Sequence, residues 1–303
     1  MPWSSREWLM AVYKRRYNSY TGSLTPAWSR FFVLTRFAFI DLFKSRFFVL
    51  LLILCIVPCL FSAGYIFVAN NKTLQLMMQL RPDMDFFKVE SQYFIFIMIG
   101  QAWAAFLLNC WVGPVLISGD LTNGALPLFL SRPFSRADYV LGKLAVLGLL
   151  LSAVTWVPCL LLFSLQSGLA RNGWMWSHLW MVVPIVLCSA IWILTLSLLS
   201  LAVSAWVKLR IVATGVIFIA FFVPTGLGEM FNAIMGTRWG VLLDFSFLFR
   251  LIVERGFHER TGFLGRAFDE IPISAAWASL ISVCFLSLVI LNARLRARET
   301  VRG

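Results

Sequence analysis

Ionisable side chains are scarce in this sequence, and acids scarcest: 14 Asp and Glu and two His stand against 26 Lys and Arg in 303 residues. Charged residues make up 13% of the chain, where a water-soluble domain carries about 25%. An ordinary soluble fold is thereby excluded. Several chemical devices are missing too. There is no GxxxxGK[ST] loop to cradle the phosphates of ATP. There is no HExxH zinc pair, because His258-Glu259 lacks its second His. Ser118-Gly119-Asp120 offers a single aspartate at a membrane boundary, and carboxylate-pair proteolysis needs a second one in the membrane. No short apolar core followed by a small-residue cleavage site occurs in the basic, aromatic first 46 residues, so no cleavable signal is expected.

What the chain has instead is apolar length. Six stretches, 47–71, 91–119, 144–170, 181–207, 211–228 and 271–293, contain no Asp, Glu, Lys or Arg. Each reaches the ~18 residues that cover about 30 Å of hydrocarbon at about 1.5 Å per residue. The expected fold is therefore all-α and integral to the membrane, with six transmembrane helices. All six cysteines (55, 59, 110, 159, 188 and 284) fall within these stretches and read as small hydrophobes. Cys55 and Cys59 are one turn apart, but with no His or acid beside them no metal site is expected.

The basic surplus has a direction. With six crossings, both termini, the 118–143 connector and the 208–210 connector share one face. That face holds 17 Lys and Arg against five acids, and the other holds nine against nine. The whole net charge of +12 lies on one side, which the positive-inside rule makes cytoplasmic. Charge distributed in this way belongs to a membrane protein and does not call for nucleic acid.

Residues 1–46 read as a cytoplasmic arm. Over 29–46, aromatics alternate with Arg30, Arg36, Lys44 and Arg46, which predicts an amphipathic helix in the interface before the first span. Residues 47–293 form the six-helix domain. Trp174, Trp176 and Trp180 predict an aromatic belt, with His178 solvated among them. The fifth span is expected to end at Pro224 and Gly226, followed by an outer connector over 229–270. Within it, 239–253 is too short and too charged to cross, and reads as a helix lying on or dipping into the outer leaflet. Residues 294–303 are a basic cytoplasmic tail. Pro58, Pro114, Pro158, Pro184 and Pro224 are expected to kink the spans.

Spans without charge argue against proton coupling. The polar groups within them are neutral. Gln101 and Asn109, eight residues apart and read as sharing a face, join Ser152 and Thr155 as candidates either to line a pathway or to bond between helices. Such an interior suits an amphipathic or lipid-like substrate better than an ion.

The most specific local sequence is 117–143, which joins spans two and three. Asp120 marks the boundary, Asn123-Gly124 a turn, 126–130 a short apolar stretch, Ser131-Arg132-Pro133 its end, Ser135 with Asp138 a helix start, and Lys143 the return to the bilayer. This connector resembles the corresponding loop of ABC-2 type permeases, the membrane subunits of ABC exporters. Asp120 stands where that family usually has Glu, and Gly124-Ala125-Leu126 stands for Gly-Thr-Leu. Ser131-Arg132-Pro133-Phe134-Ser135-Arg136 and Gly142-Lys143 match closely. The resemblance implies an ABC-2 (type V exporter-like) architecture and a coupling helix within 120–136. It further implies that Asp120, Gly124, Leu126, Arg132, Pro133, Ser135, Arg136 and Lys143 shape the interface with a separate ABC ATPase subunit. That subunit would hold the ATP and Mg, so this chain would carry no cofactor and no catalytic residue. A second permease copy or a paralogue would complete the pathway in the inner (plasma) membrane. Two alternatives stand beside this one: a lipid-modifying membrane enzyme using Glu229, Asp244, Glu254, His258 and Glu259 at the outer face, and a non-transporting assembly factor of ABC-2 form.

Overall fold

The computed structural model describes residues 30–77, 89–122, 136–170, 173–207, 209–262 and 267–299. Among them the chain is helical throughout, with no strand. Six helical segments are long and apolar enough to cross a membrane, which points to a multi-pass membrane protein.

The first helix, α1 (Arg30–Lys44), is separate from the first span, α2 (Arg46–Asn70). Ser45 makes the joint. Its N–H bonds the Leu42 carbonyl at 3.1 Å, and its Oγ accepts the Phe48 N–H at 3.4 Å, capping the new helix. α1 leaves Phe37, Ile40 and Phe43 exposed. A short α3 (Lys72–Met77) follows α2, and its buried Gln75 donates to the Val68 and Ala69 carbonyls at 3.1 and 2.8 Å. These carbonyls belong to the last turn of α2, where Val68 also accepts the Asn71 N–H at 3.1 Å.

The second span is α4 (Ser91–Thr122). The third is divided into α5 (Arg136–Val154) and α6 (Trp156–Leu169). The break at Thr155 has a local cause. Pro158 has no N–H for the Val154 carbonyl four residues back, so the ladder opens there, and Thr155 leaves the helical region at φ −100°, ψ −97°. Thr155 Oγ1 donates to the Leu151 carbonyl at 2.8 Å. The other prolines break nothing: the helix continues through Pro58, Pro114 and Pro224, and Pro184 lies in the first turn of its helix.

A short α7 (Trp174–His178) and a 3-10 turn lead into α8 (Val182–Trp206), the centre of the bundle. α4, α5, α9, α10 and α12 all pack against α8. The fifth span, α9 (Arg210–Met235), does not stop at Pro224 and Gly226 as the sequence reading expected, but runs two further turns. Gly228 is the reason. It lies backbone to backbone against Gly240 of the returning chain, where a Cβ on either residue would overlap the other's carbonyl. Asn232 Oδ1 accepts the Gly240 N–H at 2.7 Å. Gly228 serves close packing here, whereas a Cβ added at Gly226 would meet no neighbour within 4 Å, and the helix runs on through Pro224.

After α9 come a 3-10 turn (Trp239–Leu243), α10 (Phe245–Gly256), a one-turn α11 (Ala267–Glu270) and the last span, α12 (Ile273–Glu299). Residues 239–253 are thus two pieces meeting at Asp244, and both pack against neighbouring helices of the bundle. The central spans are more than half buried, against 17% for α2 and 22% for both α9 and α12. The outer three present apolar side chains such as Leu54, Phe61, Ile219, Phe222, Phe285 and Leu286 outward.

Candidate functional site

Of the residues expected to couple to a partner, Gly124, Leu126, Arg132, Pro133 and Ser135 lie outside the described residues. Asp120 falls in the last turns of α4, and Arg136 is the first residue of α5. Asp138 occupies the first turn of α5, where an acid suits the helix N-terminus. Lys143 lies one turn further on and is only 5% exposed, with its ammonium 5.6 Å from the centre of the Tyr139 ring. Beside it, Thr35 Oγ1 of α1 donates to the Gly142 carbonyl at 3.3 Å. The helix before the first span therefore leans on the helix that the 117–143 connector feeds.

The neutral polar groups occupy two different seams. Gln101 and Asn109 are about 80° apart around α4, and their amides take different partners. Gln101 Nε2 reaches Cys59 Sγ of α2 at 3.2 Å, and Gln101 lines a lateral groove of about 380 Å³ with Pro58, Tyr65 and Tyr93. Asn109 faces α8: its Nδ2 donates to the Leu196 carbonyl at 3.1 Å, and its Oδ1 accepts the Ser200 hydroxyl at 3.1 Å. Ser118 continues this second seam, donating to the Val207 carbonyl at 2.8 Å at the end of α8. Ser152 is half-buried on α5, apart from both seams, and Thr155 marks the α5–α6 break. Asn109→Ala removes two interhelix bonds at about 0.6 kcal/mol each, while the Ser200 hydroxyl keeps the Ser197 carbonyl at 3.0 Å. The expected result is a destabilisation of about 1–2 kcal/mol in reversible unfolding of the detergent-solubilised protein, larger than that of Ser152→Ala.

Two acids of the 229–270 region, Asp244 and Glu254, make local structural bonds. Asp244 is the N-cap of α10, its Oδ1 accepting the N–H groups of Ser246 and Phe247 at 2.9 and 3.1 Å. Glu254 is buried, and Thr261 donates to it through both its N–H and its hydroxyl. Glu229 is exposed on α9. His258 is exposed just past α10 at φ 56°, its ring 5.6 Å from that of Trp180. The other histidine, His178, stacks on Trp174 at 4.3 Å.

Sequence reasoning left open whether 239–253 lies on the outer leaflet or dips into it, and did not give how far α10 reaches into the bundle. Phe245 contacts Phe221, which is 11 residues from one end of α9 and 14 from the other. Phe249 contacts Trp192, at the corresponding middle of α8, while Phe257 contacts Trp180 at its start. Asp244 is thus the floor of a re-entrant turn at mid-bundle depth, and α10 climbs away from it. A cavity of about 190 Å³ opens there, lined by Ala102 and Trp103 of α4, Trp192 of α8, and Asp244, Phe249 and Arg250. The available signal was a Leu-Leu-Asp-Phe-Ser cap followed by a 12-residue helix too short to cross. No three His, Cys, Asp or Glu among the described residues are grouped to hold a metal ion. No family model matches the chain, and no curated protein matches its sequence.

Proposed function

We propose that this chain is the membrane subunit of an ATP-driven transporter of the ABC-2 type. In this reading it moves an amphipathic or lipid-like substrate outward, and a separate ATPase binds ATP and Mg and acts on the 120–136 segment. The basic face is cytoplasmic, the membrane is the cell's inner (plasma) membrane, and a second copy or a paralogue completes the pathway. The single observation that carries the proposal is the 117–143 sequence, with its acid, Gly-Ala-Leu, Ser-Arg-Pro-Phe-Ser-Arg and Gly-Lys in family order.

Two features of the fold support it. α1 is tied to α5 through Thr35 and Gly142, so a body pressing on the connector would push both helices together. The exposed apolar faces of α2, α9 and α12 leave room for a second copy within a membrane. The test is isolation of the tagged chain from its native membrane. An ATPase should co-purify in near-stoichiometric amount, and the isolated chain should hydrolyse no ATP. A cysteine placed at Ser131 should react with an impermeant maleimide only from the cytoplasmic side, a clean readout because the six native cysteines are buried or half-buried. Labelling from the outer side, or activity with no ATPase present, overturns the proposal.

A further inference from the structure

We infer that the mid-depth cavity at the foot of α10 binds a zwitterionic headgroup, with an ammonium against Asp244 and an anion against Arg250. The inference needs no ATPase partner, so it stands or falls apart from the transport proposal.

An ionisable side chain at the centre of a bilayer is unfavourable by several kcal/mol and is retained where it meets a charge or a water-filled cavity. The charge-free cores of the spans supply none at this level, and the re-entrant turn brings Asp244 and Arg250 to the level of Trp192, Phe221 and Ala102. Capping the helix does not require the charge, because Asn caps as well as Asp. Asp244 engages the helix N-terminus through Oδ1, while Oδ2 has no hydrogen bond or ion pair among the described residues. A carboxylate beside indole rings is the chemistry that holds an alkylammonium, and Trp103 and Trp192 supply the rings. Arg250, on the same wall, presents the planar donor set that suits phosphate or carboxylate. With opposite charges on one wall, the site matches a ligand carrying both signs better than a simple cation or anion. At about 190 Å³ it is smaller than the 300 Å³ and more typical of drug-sized ligands, and fits a headgroup-sized fragment. For an amphipathic ligand, a matched charge pair at this depth offsets the penalty of bringing its polar end into the membrane.

The test uses the full chain in maltoside micelles and radiolabelled lysophosphatidylcholine as probe. Saturable binding is expected. Asp244→Asn preserves the cap and should weaken binding at least tenfold, and Arg250→Gln should do likewise. Dodecyltrimethylammonium and dodecyl phosphate, each carrying half of the charge pattern, should compete at least tenfold less well than lysophosphatidylcholine. Free phosphocholine distinguishes the sources: competition equal to that of the lipid assigns the site to soluble zwitterions, and weak competition assigns it to lipid. Absence of saturable binding, unchanged affinity in Asp244→Asn, or equal binding of dodecyltrimethylammonium overturns the assignment.

Discussion

Gly113→Leu is expected to abolish the folded protein, and Gly113→Ala to destabilise it severely. At this position the backbone of α4 rests directly on the Ser200 side chain of α8: a Cβ added to Gly113 would lie 2.6 Å from Ser200 Oγ and 2.7 Å from Ser200 Cβ. Neither Cβ can rotate away, so the helices must separate. Separation would stretch the Asn109–Ser200 and Asn109–Leu196 bonds one turn away and loosen Ser118 from the end of α8. Between membrane helices, close backbone approach and these hydrogen bonds replace the hydrophobic drive that water provides elsewhere. Overpacking by one methyl costs about 1–3 kcal/mol, and loss of the seam adds to it. Leu adds three more carbons with no space to receive them. Yield of monodisperse protein in detergent and the midpoint of unfolding measure the effect. Ser200→Gly in the Gly113→Ala background removes the opposing Cβ, and should recover more than half of the loss despite forfeiting the Ser200 hydroxyl. Failure of that rescue would place the cause of the defect outside the α4–α8 contact.

Asp120→Ala with Arg136→Ala is expected to lower substrate-coupled ATP hydrolysis by about tenfold while the chain remains folded and inserted. This follows from the proposed coupling role. Moving a two-state equilibrium from 1:99 to 99:1 takes about 5.5 kcal/mol of differential contact energy. Hydrogen bonds to charged groups contribute about 1.5–3 kcal/mol each. Loss of two such contacts made in only one state would leave the driven conformation a minority. Asp120→Glu, which supplies the acid usual in ABC-2 permeases, should retain coupling, whereas Asp120→Asn should not. ATPase activity of the reconstituted complex, with and without substrate, is the measurement. Normal coupling in the double variant would remove these residues from the interface.

Much of the site was legible in the sequence for one reason and obscure for another. Runs without charge reveal where the chain meets hydrocarbon, but a membrane helix is apolar toward lipid and toward its neighbours alike, so hydropathy does not say which face turns inward. Gln101 and Asn109 were readable as polar residues in one span, and only packing decided that one faces α2 and the other α8. Pro224 and Gly226 resembled a helix stop, and only packing showed that α9 runs on past them with Gly228 against Gly240. Asp244 could be read as an outer-face acid because its position along the chain does not give its depth.

By itself, then, the sequence determined the six apolar lengths, the excess of basic over acidic residues and the order of residues in the 117–143 segment. Each is a property of composition along a line, and solvent transfer energies read such properties directly. The tertiary structure alone decided that 239–256 folds back to mid-depth, that α4 and α8 touch at Gly113 and Ser200, and that Asp244, Arg250, Trp103 and Trp192 share one cavity. Those facts depend on which surfaces pair across the bundle. Pairing among uniformly apolar helices is set by the fit of small residues and the satisfaction of a few polar groups in three dimensions.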